Sequence, residues 1–162
     1  MNKLNLFLII TVFLFSCSID KQEKLTQEST KDVAYDSLLV EKYNADKYGM
    51  KQYVIAFLKR GPNRSQDSLE ASQLQKAHLE NIGRLAEEGI LLLAGPFLDD
   101  GELRGIYIFN VKTIEEAKKL TETDPAIQKG SLVMELHPWY GSAAVMAIPE
   151  IHKKLGKINI TE

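Results

Sequence analysis

The chain has 162 residues, 44% hydrophobic and 26% charged, with a formal net charge of −2. That is enough for one domain with its own core, and it leaves no basic footprint for nucleic acid. A single Cys excludes an internal disulfide, and three His without a His-x-x-x-His spacing argue against a dedicated metal site.

Lys3 is the only charge before residue 17, and Leu4 to Phe15 is almost wholly apolar, ending in Leu14-Phe15-Ser16-Cys17. A positive start, an apolar run and a small residue before the cut are the grammar of a secretory signal. With Cys17 in last place the stretch resembles a bacterial lipoprotein signal, so residues 1–16 read as a signal peptide and Cys17 as the lipidated residue. The plain alternative is an ordinary signal with an incidental Cys. Residues 17–34 carry the lipidated Cys and a polar stretch without apolar period, a flexible tether. Residues 35–51 read as a short helical lead-in, with Leu38, Leu39 and Tyr43 near helical spacing and Gly49 as its limit.

Gln52 to Lys59 is a strand that is apolar on both faces, broken by Arg60-Gly-Pro-Asn63. Asp67 offers an N-cap and Glu70 a capping-box partner for a helix to about Glu88, with Gly89 as its C′ residue. On that helix Leu74, His78, Ile82 and Leu85 share one narrow face, which puts an imidazole in the buried stripe. Ile90 to Ala94 and Gly105 to Val111 flank Asp99-Asp100-Gly101, an Asp-Gly hairpin signal. Asp99 and Asp100 are most simply turn residues. Thr113-Ile-Glu-Glu116 opens a second helix with a capping box, and Pro125 ends it by disfavouring helical geometry at Asp124. Ser131 to His137 is the last strand, ended by Pro138. Residues 140–162 form a C-terminal tail with a short helix after Pro149.

Strand, helix, strand, strand, helix, strand is the split βαβ pattern of ferredoxin-like folds. The expectation is an α+β domain with a βαββαβ four-stranded antiparallel sheet and two helices on one face. The first strand has no polar side, so the face opposite the helices needs a cover too. The tail looks too thin for that work, and a second copy stacked sheet to sheet supplies it, as a homodimer.

His78 and Asp124 are the pair to single out as catalytic. A carboxylate near an imidazole orients it and sets its tautomer, the arrangement of general acid–base sites. The plain alternative is a core His satisfied by a backbone carbonyl, with Asp124 capping its own loop. Arg104, beside the hairpin, is a candidate receptor for an anionic group, and Asp99 and Glu135 are further ligand-binding candidates. Glu135 shares a strand face with His137 and equally suits a partner-chain contact. There is no Gly-rich phosphate loop, P-loop or Ser elbow, and no cofactor is expected.

His78-Leu79, Gly89-x-Leu-Leu-x-Ala-Gly-Pro-Phe97, Gly105, Glu115-Glu-Ala117, Asp124-Pro-Ala126, Gly130 and Glu135-x-x-Pro-Trp139 together resemble the YciI-like (YCII-related domain) family over residues 52–139. The resemblance implies a ferredoxin-like domain that pairs into a dimeric α+β barrel, and a His–Asp site onto which His78 and Asp124 map. It also implies small-molecule chemistry, since one relative removes chloride from a chlorinated hydroxyhydroquinone.

The expected function is therefore an envelope-anchored protein whose His–Asp pair moves a proton on a small cyclic or phenolic substrate. A non-catalytic ligand-binding or scaffold lipoprotein is the alternative. The expected location is the bacterial envelope, held to the membrane by lipid. Ser18 beside Cys17 favours the outer membrane over the inner. Globomycin treatment is expected to accumulate uncut precursor, and Cys17→Ala to abolish lipid labelling; normal cutting and release of Cys17→Ala would show an ordinary signal peptide.

Overall fold

The computed structural model describes residues 34–64 and 67–158. The signal, Cys17 and nearly all of the tether lie outside the described residues. In chain order the elements are α1 (Ser37–Tyr43), β1 (Met50–Arg60), α2 (Ser68–Glu87), β2 (Leu91–Pro96) and β3 (Leu103–Phe109). There follow α3 (Ile114–Thr121), the short α4 (Pro125–Gln128), β4 (Leu132–Ser142), a 3₁₀ turn (Ala143–Ala147) and α5 (Ile148–Leu155).

The four strands form one antiparallel sheet in the order β2-β3-β1-β4, the ferredoxin-like arrangement. β1 lies inside the sheet and pairs on both sides, Val54 to Ala56 facing Phe109 to Tyr107 across one ladder and Pro138 to Leu136 across the other. Its apolar content on both faces follows from that place. On the helix side Val54, Ala56 and Leu58 join Tyr107, Phe109 and Leu91 under Leu85 of α2 and Ala117 of α3. On the other side Tyr53 packs with Leu92 and Ile108.

Both capping predictions for the long helices hold at the N-cap. The Asp67 side chain accepts from the Leu69 and Glu70 amides, and Thr113 with Glu116 forms the full reciprocal box. Gly89, with φ of +70°, supplies the left-handed turn after α2.

Four expectations need correction. β2 continues through Gly95-Pro96, and β4 continues through Pro138 to Ser142. Both are edge strands, where a residue without an N–H can turn that position outward. Asp99-Asp100-Gly101 is not a two-residue turn but part of a longer loop between Pro96 and Leu103. Finally, the tail is not too thin to reach the second face: Val145 and Met146 of the 3₁₀ turn pack on the Tyr53–Leu92–Ile108 cluster, and α5 reaches β2. It covers one end of that face. Val133, on the remainder, is 45% exposed.

A close backbone contact fixes the far end of β1. The Gly61 amide donates to the Ser131 carbonyl at 2.9 Å, and a Cβ at Gly61 would stand 2.1 Å from the Gly130 carbonyl oxygen. Only glycine fits there. The contact ties the loop after β1 to the turn between α4 and β4, and so holds α4 against the sheet.

Candidate acid–base site

Helix α2 lies over the sheet beside β2, and it also packs on α4. Its buried stripe holds His78, Asn81 and Leu85. Asp124 sits between α3 and α4. It does more than follow the end of a helix: it is the N-cap of α4, with Pro125 at the first helical position. Its Oδ1 accepts from the Ala126 amide at 2.9 Å. Its Oδ2 stands 2.7 Å from Nδ1 of His78. Asp124 is 0% exposed and His78 7%.

The bonding decides the tautomer. A carboxylate only accepts, so Nδ1 of His78 donates to Asp124 and Nε2 of the neutral ring is left as an acceptor. The Tyr107 hydroxyl lies 3.4 Å from Nε2, in place to donate to it. That is long for an O–H donor, so the bond is weak. The phenol ring stacks on the imidazole at 6.4 Å between centroids and meets Phe109 edge-on at 5.7 Å. Burial in the apolar layer, with the Asp124 charge behind it, pushes the Tyr107 phenol far above its ordinary value. It is therefore a neutral O–H donor over the working range.

A second polar layer sits one helical turn along. The Arg84 guanidinium donates to Asn81 Oδ1 at 2.9 Å and to Thr123 Oγ1 at 3.1 Å, and Thr123 bonds the Asn81 side chain at 3.1 Å. These bonds fasten α2 to the residue preceding Asp124. Through side chains, they hold together the two pieces of backbone that carry His78 and Asp124. Among the described residues no buried side-chain polar atom lacks a partner.

The structure brings together His78 and Asp124 and does not bring the other candidates to them. Arg104 donates to the Asp99 and Gly101 carbonyls, each at 3.3 Å, and to the Asp100 carboxylate at 3.1 Å. Its bonds fold the β2–β3 loop, with Asp99 exposed in that loop. Glu135 pairs opposite Phe57, on the sheet face turned away from α2. There it accepts from Lys59 and, at 2.8 Å, from His137; the Lys59 ammonium first and His137 second hold its carboxyl below the usual range. Cys17 lies outside the described residues. Tyr107, Asn81, Arg84 and Thr123 were not among the candidates. The one signal for Tyr107 was its register: it alternates with Gly105 and Phe109 on the face that the helices cover. Among the described residues no three His, Cys, Asp or Glu side chains converge as a metal site would need.

Sheet order, helix placement and a buried carboxylate–imidazole–phenol row define a ferredoxin-like α+β domain with a hydrogen-bonded His–Asp pair under its longest helix. The chain belongs to the YCII-related domain family, whose model matches residues 53–140. No curated protein matches it significantly. Among solved structures it is similar to 5-chloro-2-hydroxyhydroquinone dehydrochlorinase from Burkholderia phenoliruptrix AC1100, in complex with 2,5-dihydroxybenzoquinone. The two are 17% identical, with 53% of this chain and 92% of that one covered, at a TM-score of 0.41.

Asp124→Ala strands both Nδ1 of His78 and the Ala126 amide, and is expected to lower stability by about 3 kcal/mol in denaturant titration. Asp124→Asn can keep the Ala126 bond only by turning its amide N–H₂ toward Nδ1. It is expected to cost about 1 kcal/mol and to move the ring proton to Nε2, which the ¹⁵N shifts of His78 report directly.

Proposed function

We propose that this protein is an acid–base enzyme acting on a small cyclic or phenolic molecule, with His78 as the proton carrier and Asp124 as the residue that orients it. The observation that carries the reading is the 2.7 Å Nδ1–Oδ2 bond, which in the neutral ring places the proton on Nδ1 and leaves Nε2 as the acceptor. Nε2 takes a proton from carbon or oxygen of the substrate, Asp124 stabilises the imidazolium formed, and Nε2 returns the proton to the product. The weak Tyr107 bond to Nε2 costs little to displace. Once displaced, the hydroxyl can donate to an oxygen of the substrate.

The His78 side chain is only 9% exposed, and this favours a second reading in which the row is a polar clamp in a binding or scaffold protein. Catalysis requires α2 or the α3–α4 junction to move so that substrate reaches the ring. The two readings part in one assay series, run on small phenols and hydroxyquinones that include 2,5-dihydroxybenzoquinone. In the enzyme, His78→Gln keeps the melting curve within a few degrees and lowers kcat by about 10²–10⁴-fold. Turnover of His78→Gln at the parent rate, or no turnover by the parent on any member of the series, removes the enzymatic reading.

The same proposal includes a homodimer at the cell envelope, tethered through lipid on Cys17. The support for pairing is the stretch of the second sheet face beyond the C-terminal turn, where Ile55, Phe57 and Ile106 are only half-buried and Val133 is exposed. A second copy laid on this face buries them symmetrically. In sedimentation the fragment 35–162 is expected at twice its monomer mass. A monomer at micromolar concentration would mean that the C-terminal turn and α5 suffice as cover.

A further inference from the structure

Helix α5 carries an apolar stripe that the fold leaves in water. Ile148, Ile151 and Leu155 fall at i, i+3 and i+7, on one face, and Glu150, Lys153 and Lys154 lie off that face. The first turn is held in place. It packs on the 3₁₀ turn and reaches β2, and the Glu150 carboxylate pairs with Lys42 of α1 at 3.0 Å. Beyond that turn every residue from Ile151 to Ile158 is exposed, Ile151 by 53%, Leu155 by 77% and Ile158 by 75%. Such a helix is marginal in water. Ala147 at its N-cap makes no side-chain bond to the first turn, so the usual cap is missing. Eight residues are too few to hold a helix by backbone bonds alone; helices of this length depend on burying an apolar face.

The charges around the stripe select the surface it fits. From Ile148 to Glu162 the sequence has three lysines and two glutamates, and one of the glutamates, Glu150, is taken by Lys42. The chain as a whole is negative, at −2, so this segment runs against the trend. Isoleucine and leucine on one face with lysines beside it mark a helix that lies in a membrane interface, its apolar side toward the acyl chains and its ammonium groups among anionic headgroups. The connection of the chain brings such a surface near. The Lys42–Glu150 pair sets α5 beside α1, and the tether from Cys17 runs straight into α1. Fully extended, residues 18–36 span no more than about 70 Å, so lipid on Cys17 keeps α1, and α5 with it, within that distance of the bilayer.

We propose that α5 is a peripheral membrane contact: Ile151, Leu155 and Ile158 enter the interface of an anionic bilayer, and Lys153, Lys154 and Lys157 meet its headgroups. Among the described residues no helix is long and apolar enough to cross a membrane, and α5 lies on the surface instead. The proposal draws on the lipid-tether reading above for its setting, but the contact surface is complete without Cys17. A tether alone leaves the domain free to tumble. A second contact on the same bilayer, made at the high local concentration the tether supplies, fixes which end of the domain faces the lipid.

The test uses the fragment 35–162, which contains every described helix and strand and no lipidation site, mixed with vesicles of phosphatidylcholine alone or of phosphatidylcholine and phosphatidylglycerol in equal parts. Co-sedimentation is expected with the mixed vesicles and several-fold less with phosphatidylcholine alone. Ile151→Ser with Leu155→Ser is expected to lower the partition coefficient about tenfold or more. Lys153→Gln with Lys154→Gln is expected to lower it about tenfold on the mixed vesicles only. Leu98→Ser, in the β2–β3 loop and 99% exposed, is expected to leave it unchanged. All five positions are exposed, and a melting curve shows that each variant is folded. The competing occupant of the stripe is a second copy of the chain, read by sedimentation without vesicles. No partition of the fragment onto either vesicle, or a dimer that Ile151→Ser with Leu155→Ser breaks while partition stays unchanged, would overturn the membrane contact. Because the fragment lacks Cys17, failure here leaves the result of lipid labelling standing, and failure of lipid labelling leaves this one.

Discussion

Everything in this domain hangs on β1. It is paired along its whole length with β4 and over most of it with β3, so it cannot be solvated at either edge. Its side chains are apolar on both faces, so it cannot be solvated above or below. One strand thus demands two neighbours and two covers. The covers differ in kind: α2 and α3 make a continuous layer on one side, and the C-terminal turn makes a partial one on the other. The difference gives the molecule a sealed side, where a polar row can be kept dry, and an unfinished side, where apolar surface still meets water.

The sealed side can hold a polar row because of how polar groups behave there. An imidazole under a helix is costly unless both nitrogens are matched. Here one is matched strongly, by Asp124, and the other weakly, by Tyr107. That inequality is what a proton carrier needs, since a ring held equally on both sides has no atom to offer. The Arg84–Asn81–Thr123 bonds and the Gly61–Gly130 contact act at a distance, by fixing α2 and α4 to their places.

Much of this was legible from residue order, and the rest was not for definite reasons. The βαββαβ order followed from period and punctuation. His78 stood out because it replaces an apolar residue in a stripe, and Asp124 because Pro125 marks its position. Strand ends were misread at Gly95-Pro96 and Pro138, because proline stops a strand only where its N–H is needed, and edge position is a tertiary fact. Tyr107 was passed over because a tyrosine in an apolar strand looks like core until something polar is found opposite its hydroxyl. Glu135 was legible in the other direction: it alternates with Met134 and Leu136, which line the helix side, so its register already turned it away from His78. Arg104 could not be judged from sequence, because the backbone carbonyls it binds converge only once the loop has closed.

Asp124 does two jobs with one side chain, and this ties the imidazole to the breathing of the backbone. Helix α4 has only four residues, and so short a helix has little stability of its own. When its first turn opens, the Ala126 amide loses its acceptor and the carboxylate is free to rotate off His78. The hydrogen-exchange rate of that single amide is then a clock for how often the ring loses its orientation. Side chains that pack against α4 without touching the site, such as those of α2, set the pace of that clock.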